Sequence, residues 1–495
     1  MEQKDDPDVP FPKSTNLAAD DGGDTLCTQP ALGRYLSCGG AKRIAPMTTT
    51  TSLRRGLSRR DVIKTAATVG LIAGIGPVVQ TRPAYAAKKT LKILQWSHFV
   101  PAYDKWFNNQ YVKEWGEKND TDVTVDNINL GLIQSRAAAE VSAQKGHDLV
   151  LFLSPPSVYE SQVADLSDVY AECEKKHGKP VDLAVKSTYN PKTRKYFAFS
   201  DSFVPDPINY RVDLWHDIGM KPDSWDDIRS GGKKIKDKTG IPVGIGLSSE
   251  LDTAMAMRAI MYSFGSHEQD SEGNLTIKSK ETLDAIKFVK ALYQETETPE
   301  VFAWDPSSNN RQMLAGKSSL VLNAISITRT AENDKMPIGA KIALAKAAKG
   351  HVRRIGLEHV MNCYVVWKFA DNVDGAKKFL VDYIDNFKKG FLASEFYNFP
   401  CFSKTVPDLK QLISNDPKAV PHDKYAVLDD VVNWATNVGY PGYATAAIDE
   451  TFSTWVINTM FAKAATGAET PENAMAQAET AMKAIWEKWK DKGMI

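Results

Sequence analysis

Residues 91–96 have the sequence LKILQW, the first of three apolar runs that decide the fold. The second run is VTV at 123–125, and the third is DLVLF at 148–152. Helix-forming segments separate them, because residues 103–117 carry aromatic side chains at helical spacing and residues 133–144 are rich in alanine. Strands that alternate with helices build parallel sheets from βαβ units. The stretch therefore predicts a doubly wound α/β sheet.

The ends of these strands indicate where a ligand is expected. A doubly wound sheet binds its ligand at the carboxyl ends of its strands. The first strand ends at Trp96 and Ser97, and the third is followed by Ser154. We therefore expect these three residues on one ligand-binding rim.

A second unit begins near residue 209, and its first helix has a clear start. Ser224 can accept a hydrogen bond from the amide of Asp227, whose carboxylate reaches back to the Ser224 amide, so the two residues form a capping box. Acidic side chains also suit the positive end of the helix dipole. The sequence predicts a helix from residue 225, and a strand at 241–245 continues the alternation.

The composition excludes several classes of protein. The chain has 495 residues, of which 43% are hydrophobic and 25% charged, and these values are typical of globular proteins with more than one domain. Basic and acidic residues balance at 61 each, so no bulk field attracts nucleic acid or an anionic membrane. We expect a small-molecule ligand and no nucleic-acid partner.

An export signal precedes the first strand. Residues 58–64, SRRDVIK, resemble the twin-arginine signal. The apolar run at 65–79 is shorter than the roughly 20 residues of a membrane-spanning helix. Residues 84–86, AYA, are typical of a cleavage site. The sequence therefore predicts a signal peptide at 47–86, cleavage after Ala86 and a location in the periplasm.

Residues 1–46 lie upstream of this signal and are polar and aperiodic. We interpret them as a disordered extension that does not belong to the protein if translation starts at Met47. The sequence leaves both Met1 and Met47 open as the start.

Motifs of enzymes are missing from the sequence. It contains no H-E-x-x-H and no G-x-S-x-G, and residues 316–318, GKS, have Arg311 where a phosphate loop has its first glycine. Cys173, Cys363 and Cys401 have no metal-binding spacing, and the sequence leaves a disulfide between two of them open. We expect no catalytic residue, metal or cofactor, with an exported cofactor enzyme as the alternative.

Motifs of a transport family occur in order along the chain. Residues 209–214, NYRVDL, and 224–228, SWDDI, with a glycine and a proline between them, resemble the Y-R-x-D-L … G … P-x-S/T-W-D-D-L stretch of the family 1 extracellular solute-binding proteins of ABC importers. Residues 312–320, QMLAGKSSL, resemble the family's F-x-x-G-K-a-A-M helix and strand, and 440–445, YPGYAT, resemble a P-G-x-x segment of sugar-binding members. The resemblance extends from about residue 90 to about 490.

The resemblance implies a periplasmic-binding-protein fold with two lobes, each a doubly wound sheet flanked by helices, that close about a hinge on a ligand. The first lobe is expected to contain residues 87–205 and 302–358, and the second 208–300 and 361–495. The chain is expected to cross between lobes near 205–210, 299–303 and 358–364. The implied protein is a monomer that captures a small solute and passes it to the membrane subunits of an ABC permease.

A sugar offers apolar C–H faces and a rim of hydroxyls, so its site needs flat aromatic rings and polar side chains. Among the 11 tryptophans, Trp96 at a strand end and Trp304 beside an expected crossover are the best placed to stack. Tyr210 and Tyr443 rank second. The expected polar contacts, all near strand ends or crossovers, are Ser97, Ser154, Asn209, Asn309, Asn323 and Glu358.

The sequence leaves the solute open. A sugar, an oligosaccharide or a polyol fits the aromatic residues. A polyamine would want several carboxylates, and Asp206, Glu250, Asp252 and Glu358 keep that alternative open. A sensor that docks on a membrane receptor is a third alternative.

Overall fold

Strands and helices alternate along residues 88–495, which are the residues that the computed structural model describes. The thirteen strands of this part are β1 Lys89–Trp96, β2 Thr121–Ile128, β3 Leu149–Phe152, β4 Tyr189–Asn190, β5 Lys195–Tyr196, β6 Phe199–Pro205, β7 Ile208–Arg211, β8 Val243–Gly244, β9 Leu320–Leu322, β10 Ile342–Ala345, β11 Gly356–Val366, β12 Phe399–Pro400 and β13 Ala435–Thr436.

Seventeen α-helices belong to the same residues. They are α1 Pro101–Trp106, α2 Val112–Lys118, α3 Ile133–Ala143, α4 Ser167–His177, α5 Asp182–Thr188, α6 Val212–Asp217, α7 Trp225–Thr239, α8 Leu251–Phe264, α9 Lys280–Thr296, α10 Ser308–Leu314, α11 Ser326–Asn333, α12 Val373–Asp385, α13 Phe387–Ala393, α14 Leu409–Ser414, α15 Ala446–Ser453, α16 Val456–Thr466 and α17 Pro471–Asp491. None of them is both long and apolar enough to cross a membrane.

The predictions for the N-terminus concern other residues. The extension at 1–46, the signal peptide at 47–86 and the cleavage after Ala86 all lie outside the described residues.

A seven-stranded sheet forms the first lobe. Its order is β12-β6-β11-β3-β1-β2, and β13 pairs with β11. β1 pairs in parallel with β2 and β3, as the apolar runs predict. β11 is antiparallel to β3 and β6, and its Glu358 pairs with Pro205 at the end of β6. The chain therefore leaves the sheet at the end of β6 and re-enters it beside that point at the start of β11. For this reason β11 runs in the direction opposite to β6.

The second lobe is built on a four-stranded sheet with the order β10-β7-β9-β8. β7 is antiparallel to both neighbours, whereas β8 and β9 are parallel. The two sheets and their helices form the mixed α/β, two-lobed periplasmic-binding-protein fold.

The assignment of segments to the lobes differs from the expected one. The sequence predicts residues 302–358 in the first lobe, but β9 and β10 of this range pair in the second sheet. It predicts residues 361–495 in the second lobe, but β11 and β12 lie in the first sheet. The expected crossover at 299–303 is a 3₁₀ turn that connects α9 with α10. Strand ends can be identified from local patterns, whereas the partner of a strand depends on residues far away in sequence.

The two lobes meet where α8 packs against β11. All eleven residues of β11 and all fourteen of α8 are buried. The C-terminal helices α16 and α17 pack on α8 and α9. Cys173, Cys363 and Cys401 are buried and free, so the open question of a disulfide is answered for the described residues.

The predicted capping box is present at the start of α7. The Ser224 hydroxyl accepts from the Asp227 amide at 3.1 Å, and the Ser224 amide donates to the Asp227 carboxylate at 3.0 Å. Two backbone N–H groups near the helix start are thereby paired without help from any other element.

Ser224→Ala is expected to lower the free energy of unfolding by about 1 kcal/mol, because the Asp227 amide loses its acceptor. Urea denaturation followed by circular dichroism measures the change. The matched control is Ser230→Ala at an exposed position of the same helix, for which no loss is expected. Equal losses in the two variants would contradict the role of the cap.

Candidate functional site

A cleft with a volume of about 480 Å³ opens between segments of the two lobes. This volume lies within the range of small-molecule sites in proteins. The first lobe contributes residues after β2 and at the end of β3, namely Leu130, Gly131, Ile133, Gln134, Ser135, Phe152, Leu153 and Ser154. The second lobe contributes Ser249, Glu250, Leu251 and Pro306, and the junction of α15 with α16 contributes Phe452, Ser453 and Trp455.

Two aromatic rings form one end of the cleft. Trp455 connects α15 with α16 in a left-handed backbone conformation, with φ at 58°. This conformation costs a bulky residue about 1–2 kcal/mol, and it persists only where the surrounding structure fixes it. The Trp455 and Phe452 ring centroids are 6.0 Å apart, with an interplanar angle of 43°. The junction thus places an indole and a phenyl ring side by side at the cleft.

Phe452 is supported from behind by a buried ion pair. The Arg258 guanidinium carbon lies 4.9 Å from the centroid of the Phe452 ring. Arg258 Nε and Glu268 Oε1 are 2.7 Å apart, and neither side chain is exposed. The Tyr262 hydroxyl donates to the other oxygen of Glu268. Loss of either partner would leave a buried charge uncompensated, so the pair fixes the position of the aromatic wall.

The two lobes are also joined by a buried histidine. The ring of His359 on β11 lies between two carboxylates, with Nδ1 at 3.3 Å from Asp206 and Nε2 at 3.4 Å from Asp252. Asp206 is in the crossover between β6 and β7, and Asp252 is in α8 of the second lobe. Burial by itself lowers the pKa of His359, but the charges of Asp252 and Asp206 outweigh it and raise the pKa to about 9. A protonated His359 therefore holds the crossover and α8 together.

Two carboxylates near this histidine already have partners. Glu250 caps α8 by accepting from the amides of Asp252 and Thr253. Glu358 accepts from the amide of Val438 at 3.0 Å, and burial raises the pKa of its carboxyl group to about 8. Both groups have structural roles in the interior, although Glu250 also reaches the cleft.

Of the residues that the sequence proposes for the site, Ser154 lines the cleft. Trp96 is 2% exposed and stacks on the ring of His98, at a distance of 4.9 Å between centroids. The neighbouring Ser97 is exposed, and its amide donates to the carbonyl of Ile128. The end of β1 therefore lies beside the cleft lining without being part of it.

The three proposed asparagines bind one another in the interior. The Asn209 side chain donates to the Asn323 carbonyl at 2.7 Å, and the Asn323 side chain donates to the Asn309 side chain at 2.7 Å. Asn309 in turn donates to Asp252. The three residues connect β7, β9 and α10 and do not line the cleft.

The other four proposed residues also lie away from the cleft lining. Glu358 is engaged as described. Tyr210 packs edge-on against Trp215, and the Tyr443 ring lies 6.0 Å from that of Tyr189. The Trp304 carbonyl accepts from Ser248 at 2.7 Å, and its half-buried ring lies beside Gly244. Each of these three rings therefore packs against other residues of the protein.

Sequence reasoning missed the aromatic end of the cleft and most of its walls. Trp455 is in a predominantly helical part of the chain and has no local pattern that distinguishes it from a core residue. The local hint was the apolar run LGLI at residues 130–133 between a strand and a helix, which contributes Leu130, Gly131 and Ile133 to the lining.

The sequence matches the model of one known protein family. The family model described as bacterial extracellular solute-binding protein matches residues 102–395, more than half of the chain. The chain belongs to this family. No curated protein matches it in sequence.

Solved structures of solute-binding proteins have the same fold. An ABC-transporter solute-binding protein from Thermotoga lettingae TMO, bound with α-D-tagatose, has a TM-score of 0.67 and 15% identity over 80% of this chain and 99% of that one. The maltose-bound MalE3 of T. maritima has a TM-score of 0.66 and 17% identity over 80% and 99%. A ribitol complex from Agrobacterium radiobacter K84 has a TM-score of 0.63 and 17% identity over 80% and 98%. At such identities the likeness shows the fold.

Between residues 88 and 495, no three or more His, Cys, Asp or Glu side chains are arranged so that they could hold a metal ion.

The raised pKa of His359 makes stability depend on pH. Folding raises the pKa of His359 from 6.5 to about 9. The protonated side chain therefore contributes its full share to the stability of the fold below pH 6.5, and this contribution is lost as the pH rises through 9. We expect His359 to contribute a decrease of about 3 kcal/mol in the free energy of unfolding between pH 6 and pH 9.

Urea unfolding of the wild type and of His359→Gln at both pH values measures this contribution, and the variant should show the shallower decrease. The matched control, His351→Gln, removes an exposed histidine and should keep the wild-type slope. Parallel slopes for all three proteins would show that His359 is not protonated in the folded state.

Proposed function

We propose that the protein captures an uncharged sugar, oligosaccharide or polyol in the cleft and delivers it to the membrane subunits of an ABC importer in the periplasm. The observation that carries the proposal is a cleft formed jointly by two lobes in a member of the extracellular solute-binding family. Similar structures from this fold hold tagatose, maltose and ribitol.

The charges of the cleft favour an uncharged solute. No lysine, arginine or histidine of the described residues lines it, so a carboxylate or phosphate group would be desolvated there without a cation. Among residues 88–495, the one acidic side chain in the lining is Glu250, whose oxygens accept from backbone amides at the start of α8. A polyamine needs several carboxylates to offset its charges, and the lining offers a single, already paired one.

The aromatic end of the cleft suits the apolar face of a sugar ring. Trp455 is half-buried and Phe452 lies beside it, so a ring of C–H groups could cover the indole while its hydroxyls point towards the serines of the lining. This arrangement supports a sugar or polyol more than an amino acid or an inorganic ion.

The lobes close on the solute because the closed form and the open form bind it with different affinities. A solute that touches both lobes binds the closed form better than the open form, and it shifts the population towards closure. The crossovers between Pro205 and Ile208 and between Ala345 and Gly356 are the segments that could act as hinges. Membrane subunits would then recognise the closed shape, and no chemical step is needed.

A thermal-shift screen of the purified protein against sugars, polyols, amines and amino acids tests the proposal. A sugar or polyol at about 100 times its Kd should stabilise the fold by about 2.7 kcal/mol. The solute should be recovered unchanged, and small-angle scattering should show a smaller radius of gyration with it. Stabilisation by amines alone, or chemical conversion of the solute, would contradict the proposal.

Two tryptophan variants separate binding from folding. Trp455→Ala should weaken solute binding about tenfold or more, because a ring at the cleft is lost, with little loss of stability at this half-buried position. Trp96→Ala should instead cost about 3–5 kcal/mol of stability, because its buried ring leaves a cavity. Calorimetric titration and urea denaturation measure the two effects. The opposite pattern would place the solute at the end of β1.

A further inference from the structure

The polarity of the cleft changes with depth. Its exposed lining residues are small or polar, and they are Gly131, Ser135, Ser249 and Ser453. Its deeply buried lining is mostly apolar and includes Ile133, Leu153, Leu251 and Phe452, which are 1%, 8%, 7% and 6% exposed. We call these four buried residues the apolar floor. The site is therefore polar at its mouth and apolar at its floor.

The floor has little capacity to pair the hydroxyl groups of a sugar. Two polar side chains reach it, Ser154 and Glu250, and both are nearly fully buried. Glu250 is already occupied, because its oxygens accept from the amides of Asp252 and Thr253 and from the Thr253 hydroxyl. A buried hydroxyl without a partner is strongly unfavourable. A solute with hydroxyls on every side would leave several unpaired against the floor.

An apolar group gains free energy at the same place. Burial of a methylene group against apolar side chains strengthens binding about fourfold, the equivalent of about 0.8 kcal/mol. Leu130 and Trp455, both half-buried, extend the apolar surface from the floor towards the mouth. Leu132, exposed by 56%, follows Leu130 but is not part of the lining.

We propose that the solute is an uncharged amphiphile, a sugar or polyol that carries an apolar group, such as a glycoside with an alkyl or aryl aglycone. The apolar group lies on the floor, and the hydroxyls lie at the mouth among the exposed serines. This inference rests on the proposed function, because it specifies the solute of the same cleft.

The test is calorimetric titration of the purified protein with glucose and maltose and with their methyl, butyl and hexyl β-glycosides. Affinity should rise along each alkyl series by about fourfold per methylene, until the floor is covered. The increase in affinity should be similar for the glucosides and the maltosides, because the apolar floor contacts the alkyl group and not the sugar.

Two leucine variants show whether the increase arises in the cleft. Leu130→Ser should lower the gain per methylene to about half, because the alkyl group loses part of the apolar surface that it covers. Leu132→Ser is the matched control, two residues away and outside the lining, and it should keep the wild-type series.

The outcomes separate the two proposals. Affinity that stays constant or falls along both alkyl series, while a free sugar or polyol from the thermal-shift screen binds, overturns the amphiphile and leaves solute binding intact. If Leu130→Ser does not reduce the gain in affinity per methylene, the amphiphile proposal is also overturned, because the alkyl group then binds outside the cleft. If no sugar, polyol or glycoside binds at all, the proposed function fails together with the inference.

Discussion

β11 is buried on both faces, and this constraint organises the protein. A buried polar side chain must be paired inside the molecule, and β11 carries several of them. Glu358 pairs with the amide of Val438, His359 lies between Asp206 and Asp252, and Asn362 donates to Ser202. Val438 follows β13, Asp206 lies in the crossover, Asp252 lies in α8 and Ser202 lies in β6. The contacts of His359 with Asp206 and Asp252 therefore tie β11 to the crossover and to the second lobe. α8 also lines the cleft, through Leu251.

The same junction also supports the aromatic end of the cleft. α8 contributes Leu251 to the apolar floor, Asp252 to the histidine bridge and Arg258 to the support of Phe452. One helix therefore couples the contact between the lobes to the surface that faces the solute. A change in the protonation of the bridge and a change in occupancy of the cleft act on the same element.

Elements defined by local pattern could be predicted well. The apolar run at 91–96 lies within β1 and the run at 148–152 contains β3, and the capping box starts α7 where the sequence places it. Most candidate site residues did not meet at the cleft, although Trp96, Asn209 and Asn323 lie at or next to strand ends as expected. Trp96 packs on His98, and Asn309 binds Asp252 and Asn323. A polar or aromatic side chain at a strand end looks the same in sequence whether it faces a ligand or a neighbouring element.

The sequence by itself determined the fold class, the start of α7, the absence of bulk charge and the resemblance to the family, because each is encoded in contiguous residues or in composition. The tertiary structure alone decided which strands share a sheet and which side chains line the cleft. Its walls come from residues 130–135, 152–154, 249–251, 306 and 452–455, which come together only when both lobes have formed. No local pattern encodes such a meeting, since it depends on the pairing of β11 with strands more than 150 residues earlier in the chain.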